Sequence, residues 1–470
     1  MRTLVWYRGK DLRITDHKPL ADAIRGGEVI TLFVVDPYFF SAHSAAFAPH
    51  RMQYLLESLA ALKSNIKARG GELLVGAGHS VELVPKLAAL WEVDRVVAHR
   101  WTEPVGRSRD ARVAEKLNVP LVLYDGETLL VPDAVLTKQG GPFSVYTPFA
   151  RAARDLLGTI ASSGAPRRIP APPAALNRSG LIADVPSLHE LGLGRNVHLV
   201  QGGEAAARGR MKSFVERHET YAQERDQLGA EGSHLSADLK FGTLSVRTVL
   251  GHVLRLPSGP SQQKFIAQLL WREFAYHCLW HRPWLLQRPF RPEFAQFPWS
   301  QDRDAWASWA EGRTGYPVVD ASARQLMTEG FVHNRARMIS ASFLTKHLLV
   351  NYALGERHYL KFLTDGDWAI NNMGWQWSAG CGVDAQPYFR VFNPVLQGQR
   401  FDKDGRYVRR YLPELARLPD KYVHCPWEAP PDVLRRAEVV LGENYPHPVV
   451  EHSLARQRFL ALTKFARKPG

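Results

Sequence analysis

Asp365 and Asp367, in the stretch TDGDW, are followed within ten residues by Asn371, Asn372, Trp375 and Trp377. Two carboxylates, two amides and a pair of indoles two positions apart, opening a nearly uncharged run from 371 to 394, are more than core packing asks for. Indoles offer flat faces on which nucleic-acid bases stack. Three further clusters carry related chemistry. QLLWREFAYHCLW sets Trp271 beside Arg272, and HNRARM puts Asn334, Arg335, Arg337 and Met338 on what should be one helix. EGSHLSADLKFG groups small and hydroxylated residues at a helix start, where free backbone N–H groups hold phosphate. Taken singly, these also read as a core aromatic, a solvated helix face and a capping motif; their joint order is what points to a site.

Charge points the same way. A formal net charge of +14 and a sequence pI near 9.7 attract polyanions, and thirteen tryptophans supply stacking faces, so nucleic acid is the natural partner. The alternative is an excess of arginine spread evenly for solubility. A hydrophobic fraction of 45% and a charged fraction of 23% are those of a globular protein, and no apolar run approaches the roughly 20 residues that span a bilayer. The opening MRTLVWYRGKDLRITDH has no signal-peptide pattern, and Cys278, Cys381 and Cys425 are widely spaced with no metal-ligand spacing, so a reducing cytoplasm is expected and no metal is.

The elements that position these residues change character along the chain. From residue 1 to 157, TLVWY, EVITLFVVD, ELLVGAG, RVVAHRW and LVLYDG read as strands, separated by segments of helical periodicity such as HRMQYLLESLAALKSNIKARG. Five strands alternating with helices imply an α/β domain with a five-stranded, parallel, doubly wound sheet. No GxGxxG follows the first strand, so the usual dinucleotide fingerprint is missing. SSGAPRRIPAPPAALNRSG, residues 162–180, continues neither element type and marks an interdomain linker over 158–200. From 201 to 470 the pattern is all-α, as in VDASARQLMTEGFVHNRARMISASFLTKHLLVNYAL.

With these residues in order, the chain resembles the cryptochrome/photolyase family over nearly its full length, and most of all the class I-type photolyases of cyclobutane pyrimidine dimers. The resemblance rests on LLWREF, TGYPVVDA, HNRARM, DGDWAINN, WQWSAGCGVDAQPYFRVFNP and QGQRFDKDGRYVRRYLPEL. It implies a helical domain holding FAD, a light-driven carbon–carbon lyase that acts on UV-damaged DNA, and a monomer with no obligate protein partner. The residues implied for the cofactor are Tyr221, Gly232, Ser233, His234, Leu235, Ser236, Phe265, Arg272, Arg337, Asp365, Gly366, Asp367 and Asn371. Arg337 is expected to pair with Asp365, and Asn371 to face flavin N5. Trp375 resembles the indole next to the flavin that relays electrons. Trp377 resembles a wall of the pocket that receives the flipped lesion, with Trp271 opposite. Arg225, Asn334, Arg335, Met338, Arg390 and Gln397 complete the implied DNA set.

The departures from the family pattern are informative. Gln268 stands where most cyclobutane-dimer enzymes have Glu. The electron chain reads Trp375, Tyr352 and Trp299, with Tyr352 in the place of a middle tryptophan and Trp368 as a candidate bypass. Enzymes for the (6-4) photoproduct carry two histidines four apart where this chain has Asn334 and Met338; His333 reads as a packed or capping residue. Gly106, where folate-binding relatives have Glu, argues against a folate antenna, so a deazaflavin-type second chromophore, or none, is implied; Trp101 stands where deazaflavin-binding relatives often carry Asp. The rival reading is a blue-light photoreceptor of cryptochrome type. The end of the chain at Gly470, without a long extension, favours the enzyme.

Overall fold

The computed structural model describes residues 1–158 and 160–464. The last residues of the expected terminal helical segment, 465–468, and the end at Gly470 lie outside the described residues. The chain forms two compact units: Met1–Glu219 with Ser233–Pro283, and Thr220–Gly232 with Trp284–Gly470. Residues 201–219 and 233–283, placed in the helical half by periodicity, thus pack with the α/β half.

In the first unit, apolar runs form β1 (Arg2–Tyr7), β2 (Glu28–Val35), β3 (Leu73–Ala77), β4 (Arg95–His99) and β5 (Leu121–Tyr124), all parallel. A sixth strand, β6 (Leu181–Ile182), lies in the stretch expected to be only a linker; it pairs antiparallel with β3, giving the order β5-β4-β1-β2-β3-β6. Helices cover both faces, which is why these strands are continuously apolar. Val5, Tyr7, Val29, Phe33 and Val97 meet Leu55, Leu59 and Leu62 of the helix Pro49–Lys67. On the opposite face Leu4, Trp6, Leu32 and Val96 meet Val84 and Leu87 of the helix Ser80–Leu90.

The second unit is helical around one large core that includes Trp309, Leu344, Tyr359 and Trp375. The long helical pattern before Tyr352 is broken. Gly330, at φ +59, ends the helix Pro317–Glu329; His333 caps a new helix, Asn334–Ser342; and Phe343–His347 continues as a π-helical turn. A left-handed residue at a helix end is where glycine replaces other residues at least cost.

Candidate functional site

The residues singled out above fall in both units. In the first, the helix Pro260–His281 starts with proline, whose missing N–H costs nothing at that position, and carries Phe265, Gln268, Trp271 and Arg272 on adjacent turns. Phe265 is buried against Phe214, ring centroids 4.4 Å apart. Trp271 is half-buried and stacked on Tyr146 at 3.7 Å and 7°, while the Tyr146 hydroxyl donates to the carbonyl of Ala267 at 3.0 Å. One indole face is therefore clamped by a neighbour that is itself tied to the same helix. Gln268, one turn away, is also half-buried. Arg272, expected at the cofactor, is instead buried and committed to the Glu127 carbonyl at 2.8 Å and Glu273 at 3.1 Å. Burial pushes Glu273 up to about 7 in spite of that partner.

The segment Ser233–Ser236 leads into the helix Ser236–Phe241, which has no side-chain cap. His234 is in the left-handed region at φ +52. Asp238, in the first turn, spends its carboxylate on Arg210, Tyr54 and Thr243, so the first N–H groups of this helix remain without a side-chain acceptor of their own.

In the second unit, Tyr221 lies on the short helix Tyr221–Glu224, with Arg225 at its end, 3.4 Å from Asp226. The helix Asn334–Ser342 sorts its residues by face. Asn334 is exposed and Met338 partly so, with 3.7 Å between the Asn334 amide and the Met338 sulfur. Arg335 pairs with Asp226 at 2.9 Å and lies over Phe401, so its charge is already partnered. The Arg337 guanidinium donates to both Asp365 oxygens, at 3.0 and 2.8 Å, and its Nε to the Val332 carbonyl. His333 accepts from the Arg335 N–H through Nδ1, and burial holds its pKa down at about 4. It is a neutral cap.

The helix Trp368–Ala379 begins on Asp367, whose Oδ1 accepts from the Ala369 and Ile370 N–H groups. Its buried face carries Asn371, Asn372 and Trp375. The Asn371 amide donates to the Glu356 carbonyl at 3.0 Å, and Asn372 donates to the Glu356 carboxyl at 3.1 and 3.2 Å. Burial raises Glu356 to about 7, a carboxyl that sequence reasoning passed over. Trp375 fits because Gly355 faces it: a Cβ there would overlap the indole. Trp377 is half-buried, Arg390 exposed, and Gln397 half-buried on the helix Pro394–Phe401. The Arg390 carbonyl receives the buried Lys346 ammonium at 2.9 Å.

Tyr352 meets Trp299, centroids 6.3 Å apart, but among the described residues it makes no ring contact with Trp375. Trp368, 38% exposed, makes none either. The rings against Trp375 are Tyr359, at 5.1 Å, and Trp309, at 5.9 Å.

The sheet has its own topological switch point between β1 and β4, where α/β folds place ligands. Here that crevice is filled. Trp101 is buried and sits on Gly106, whose Cβ, were there one, would strike the indole. Arg109 lies 4.4 Å over Trp101 and 5.0 Å over Trp6, Arg8 pairs with Asp110 at 2.5 Å, and Lys10 pairs with Glu103 and Glu127. Beside them Asp11, His17 and His99 bring ligand-type atoms within 4.8 Å of one another. Because His17 Nδ1 accepts from the Leu20 N–H, the neutral ring carries its proton on Nε2, which faces Asp11 at 3.5 Å without a hydrogen bond, while His99 Nδ1 lies 3.3 Å from the same carboxylate.

The comparisons agree with this architecture. A family model described as DNA photolyase matches residues 3–173, and one described as the FAD binding domain of DNA photolyase matches 265–465. A deoxyribodipyrimidine photo-lyase of Thermus thermophilus is 40% identical, the match covering 98% of each chain. The crystal structure of a bacterial class III photolyase from Agrobacterium tumefaciens is similar with a TM-score of 0.92 and 36% identity, covering all of this chain and 98% of that one. The cryptochrome of Synechocystis sp. PCC6803 is similar with a TM-score of 0.89 and 28% identity, covering 98% of this chain and 99% of its own. The chain belongs to the photolyase/cryptochrome family, with an α/β N-terminal region and a helical FAD-binding region.

Proposed function

We propose that this protein is a light-driven DNA repair enzyme that splits cyclobutane pyrimidine dimers. The observation that carries this reading is Trp271: a half-buried indole braced from behind by Tyr146, one turn from the hydrogen-bonding amide of Gln268. A dimer pairs poorly, so extruding it from the duplex costs less than extruding normal bases. A rigid indole then gains about 1–3 kcal/mol from stacking on it. Gln268 offers a donor and an acceptor to the base edges. Asn334 and Met338 provide no imidazole for the proton transfer that (6-4) repair uses, and the neighbouring His333 is occupied as a cap. Exposed Arg390 is suited to a phosphate, whereas the Arg335 charge is already taken by Asp226.

The second unit's residues fit FAD. Arg337, bidentate on Asp365, keeps a fixed positive charge; Asn371, its N–H engaged by Glu356, presents a carbonyl oxygen that can accept from flavin N5 and supplies no acidic proton to it. Tyr221, on the short helix Tyr221–Glu224, and Gly232 complete the second unit's share of that cofactor set. When bound and reduced, FAD supplies the light-driven one-electron donation that opens the dimer and takes the electron back. At the sheet's switch point the packing of Arg8 and Arg109 over Trp101 argues against a second chromophore there. This favours no antenna there over a deazaflavin or a folate.

A blue-light photoreceptor is the second reading, favoured by Gln268 and by the likeness to the Synechocystis cryptochrome. The deciding experiment illuminates the protein, with FAD reduced, on oligonucleotides carrying a thymine dimer or a (6-4) photoproduct. Repair of the first and not the second supports the proposal; repair of neither, with reduced FAD present, supports the receptor.

A further inference from the structure

We propose that Lys346 is a positioning residue for DNA binding: its buried side-chain nitrogen holds the loop that carries Arg390, and it takes up a proton when a DNA strand engages that loop. The proposal rests on the reading of Arg390 as a phosphate contact.

The helix Trp368–Ala379 stops at Gly380, whose φ of +87 turns the chain back; a Cβ there would come 2.9 Å from the Tyr388 Cα. The next helix, Pro394–Phe401, starts on Asn393, which caps it through the Val395 and Leu396 N–H groups. Side chains fasten the loop between these ends. The Gln386 amide donates to the Ser378 carbonyl at 2.8 Å, and the Lys346 nitrogen donates to the Arg390 carbonyl at 2.9 Å. The Arg390 N–H closes a tight turn onto the Pro387 carbonyl. Lys346 thus grips the backbone of the residue whose guanidinium is exposed and, among the described residues, has no partner of its own.

Lys346 lies in the π-helical turn Phe343–His347, a backbone form that recurs at functional sites, and is 0% exposed. An ammonium carries three N–H donors. Here the Arg390 carbonyl receives it, the Phe459 ring lies 5.7 Å away, and among the described residues no carboxylate pairs with it. The groups around it do not supply the missing charge. Cys381, at the start of the loop, is a thiol that burial pushes well above its ordinary pKa, so it stays neutral. On the helix His452–Leu462, Arg458 is cationic and donates to the His347 carbonyl, and His452 shares a 2.9 Å hydrogen bond with His347. His347 is itself kept neutral by burial, its pKa held down at about 3. Burial, reinforced by the like charge of Arg390, brings Lys346 down to about 7.

A buried amine near half-protonation responds to any change in local potential. A phosphate on Arg390 cancels the like charge, and the duplex brings a negative field over the loop; both favour the ammonium. The amine lone pair accepts one proton from the buffer, and the contact to the Arg390 carbonyl becomes charge-assisted, about twice as strong as a neutral one. DNA thereby protonates Lys346, and protonated Lys346 fixes Arg390. Because the complex holds more protons than the free protein, affinity falls as pH rises from 7 to 8.5, by roughly four-fold where DNA raises the proton affinity of the amine about ten-fold.

Calorimetric titration of the holoprotein with dimer-containing duplex, in the dark and in two buffers of different ionisation heat, counts the protons taken up. At pH 7.5 the parent should take up roughly half a proton per complex. Lys346→Met and Lys346→Arg should abolish that uptake, the first because it is never charged and the second because it always is. Lys346→Met should raise Kd and the KM for repair several-fold without slowing repair at saturating DNA. Lys346→Arg should bind as the parent does at pH 7 and keep that affinity at pH 8.5, where the parent weakens. Proton uptake of the parent's size in either variant overturns the proposal. Should Lys346→Met fail to fold, Lys346→Arg and the parent decide the matter, and equal parent affinity at pH 7 and pH 8.5 overturns it as well. Arg390→Gln that binds the dimer duplex as tightly as the parent overturns instead the reading of Arg390 on which the proposal rests.

Discussion

Trp375 owes its position to a missing atom. Because a Cβ at Gly355 would overlap the indole, Gly355→Ala forces the ring or the helix Tyr352–Phe362 to move. Overpacking of this kind costs about 1–3 kcal/mol. The expected result is a lower unfolding temperature together with slower flavin photoreduction, measured on the same preparation. At the lesion-binding residues, Trp271→Ala should weaken binding to dimer-containing DNA by about 1–3 kcal/mol while leaving undamaged DNA nearly unaffected. Tyr146→Ala should reproduce part of that loss, since it removes the brace and keeps the indole; parallel titrations of both DNAs check this. Residue types in the sequence single out the candidate side chains, but not what each of them is bonded to. Arg272 and Arg335 look like ligand-binding cations in a string of letters. Their partners, the Glu127 carbonyl and Asp226, are over a hundred positions away and come into reach only in the fold.

Helix starts do much of the positioning. Asp367, expected beside the flavin, is the cap of the helix that carries Asn371 and Trp375, so Asp367→Ala should cost about 1 kcal/mol of stability and, through the loosened first turn, some FAD retention. Denaturant titration and bound-flavin absorbance read the two effects. The helix Tyr352–Phe362 adds a pH dependence. Glu356 keeps its proton in the fold up to about 7, whereas the unfolded chain releases it near 4.5, so the stability it contributes is complete below about 4.5 and lost as pH rises through about 7. Neutral imidazoles such as His333 and His358 act oppositely, their contribution vanishing as pH falls from 6.5 towards 4. Comparing Glu356→Gln with the parent chain isolates the carboxyl: the variant should gain relative stability on the order of 1–3 kcal/mol as pH rises across that window. Periodicity made the stretch before Tyr352 legible as helical. It could not show the break at Gly330 or the π-helical turn after Ser342, because apolar spacing persists through both while only backbone angles change.

Across the whole molecule, the excess of positive charge predicts that affinity for undamaged DNA falls steeply with salt. Affinity for dimer-containing DNA should fall with a similar slope while the ratio between the two holds, because the phosphate term is common to both and stacking is not screened; binding measured at two ionic strengths checks both. The alternation of apolar strands and helical segments was enough to read a parallel, doubly wound sheet, and the all-helical second half was equally plain. Strand β6 was hidden by its proline-rich surroundings, and at two residues it is too short to carry a period. The division of the chain was hidden for another reason. Helical periodicity reports that a segment is a helix, not which core it joins, so residues 233–283 read as part of the helical half.

That division has a consequence for synthesis on the ribosome. Residues 220–232 emerge in the middle of the first unit's chain yet belong to the second: the Leu228 N–H donates to the Phe401 carbonyl, and Asp226 pairs with Arg335. At about 5–20 residues per second, Phe401 is made on the order of ten to thirty seconds after Leu228. For most of that interval Arg335 and Phe401 have not been made, while the sheet, complete by Ile182, can already close. A nascent chain stalled before Arg335 should therefore be cut by protease between Thr220 and Gly232 while the β1–β5 region resists, and a chain released after Phe401 should lose that cleavage site.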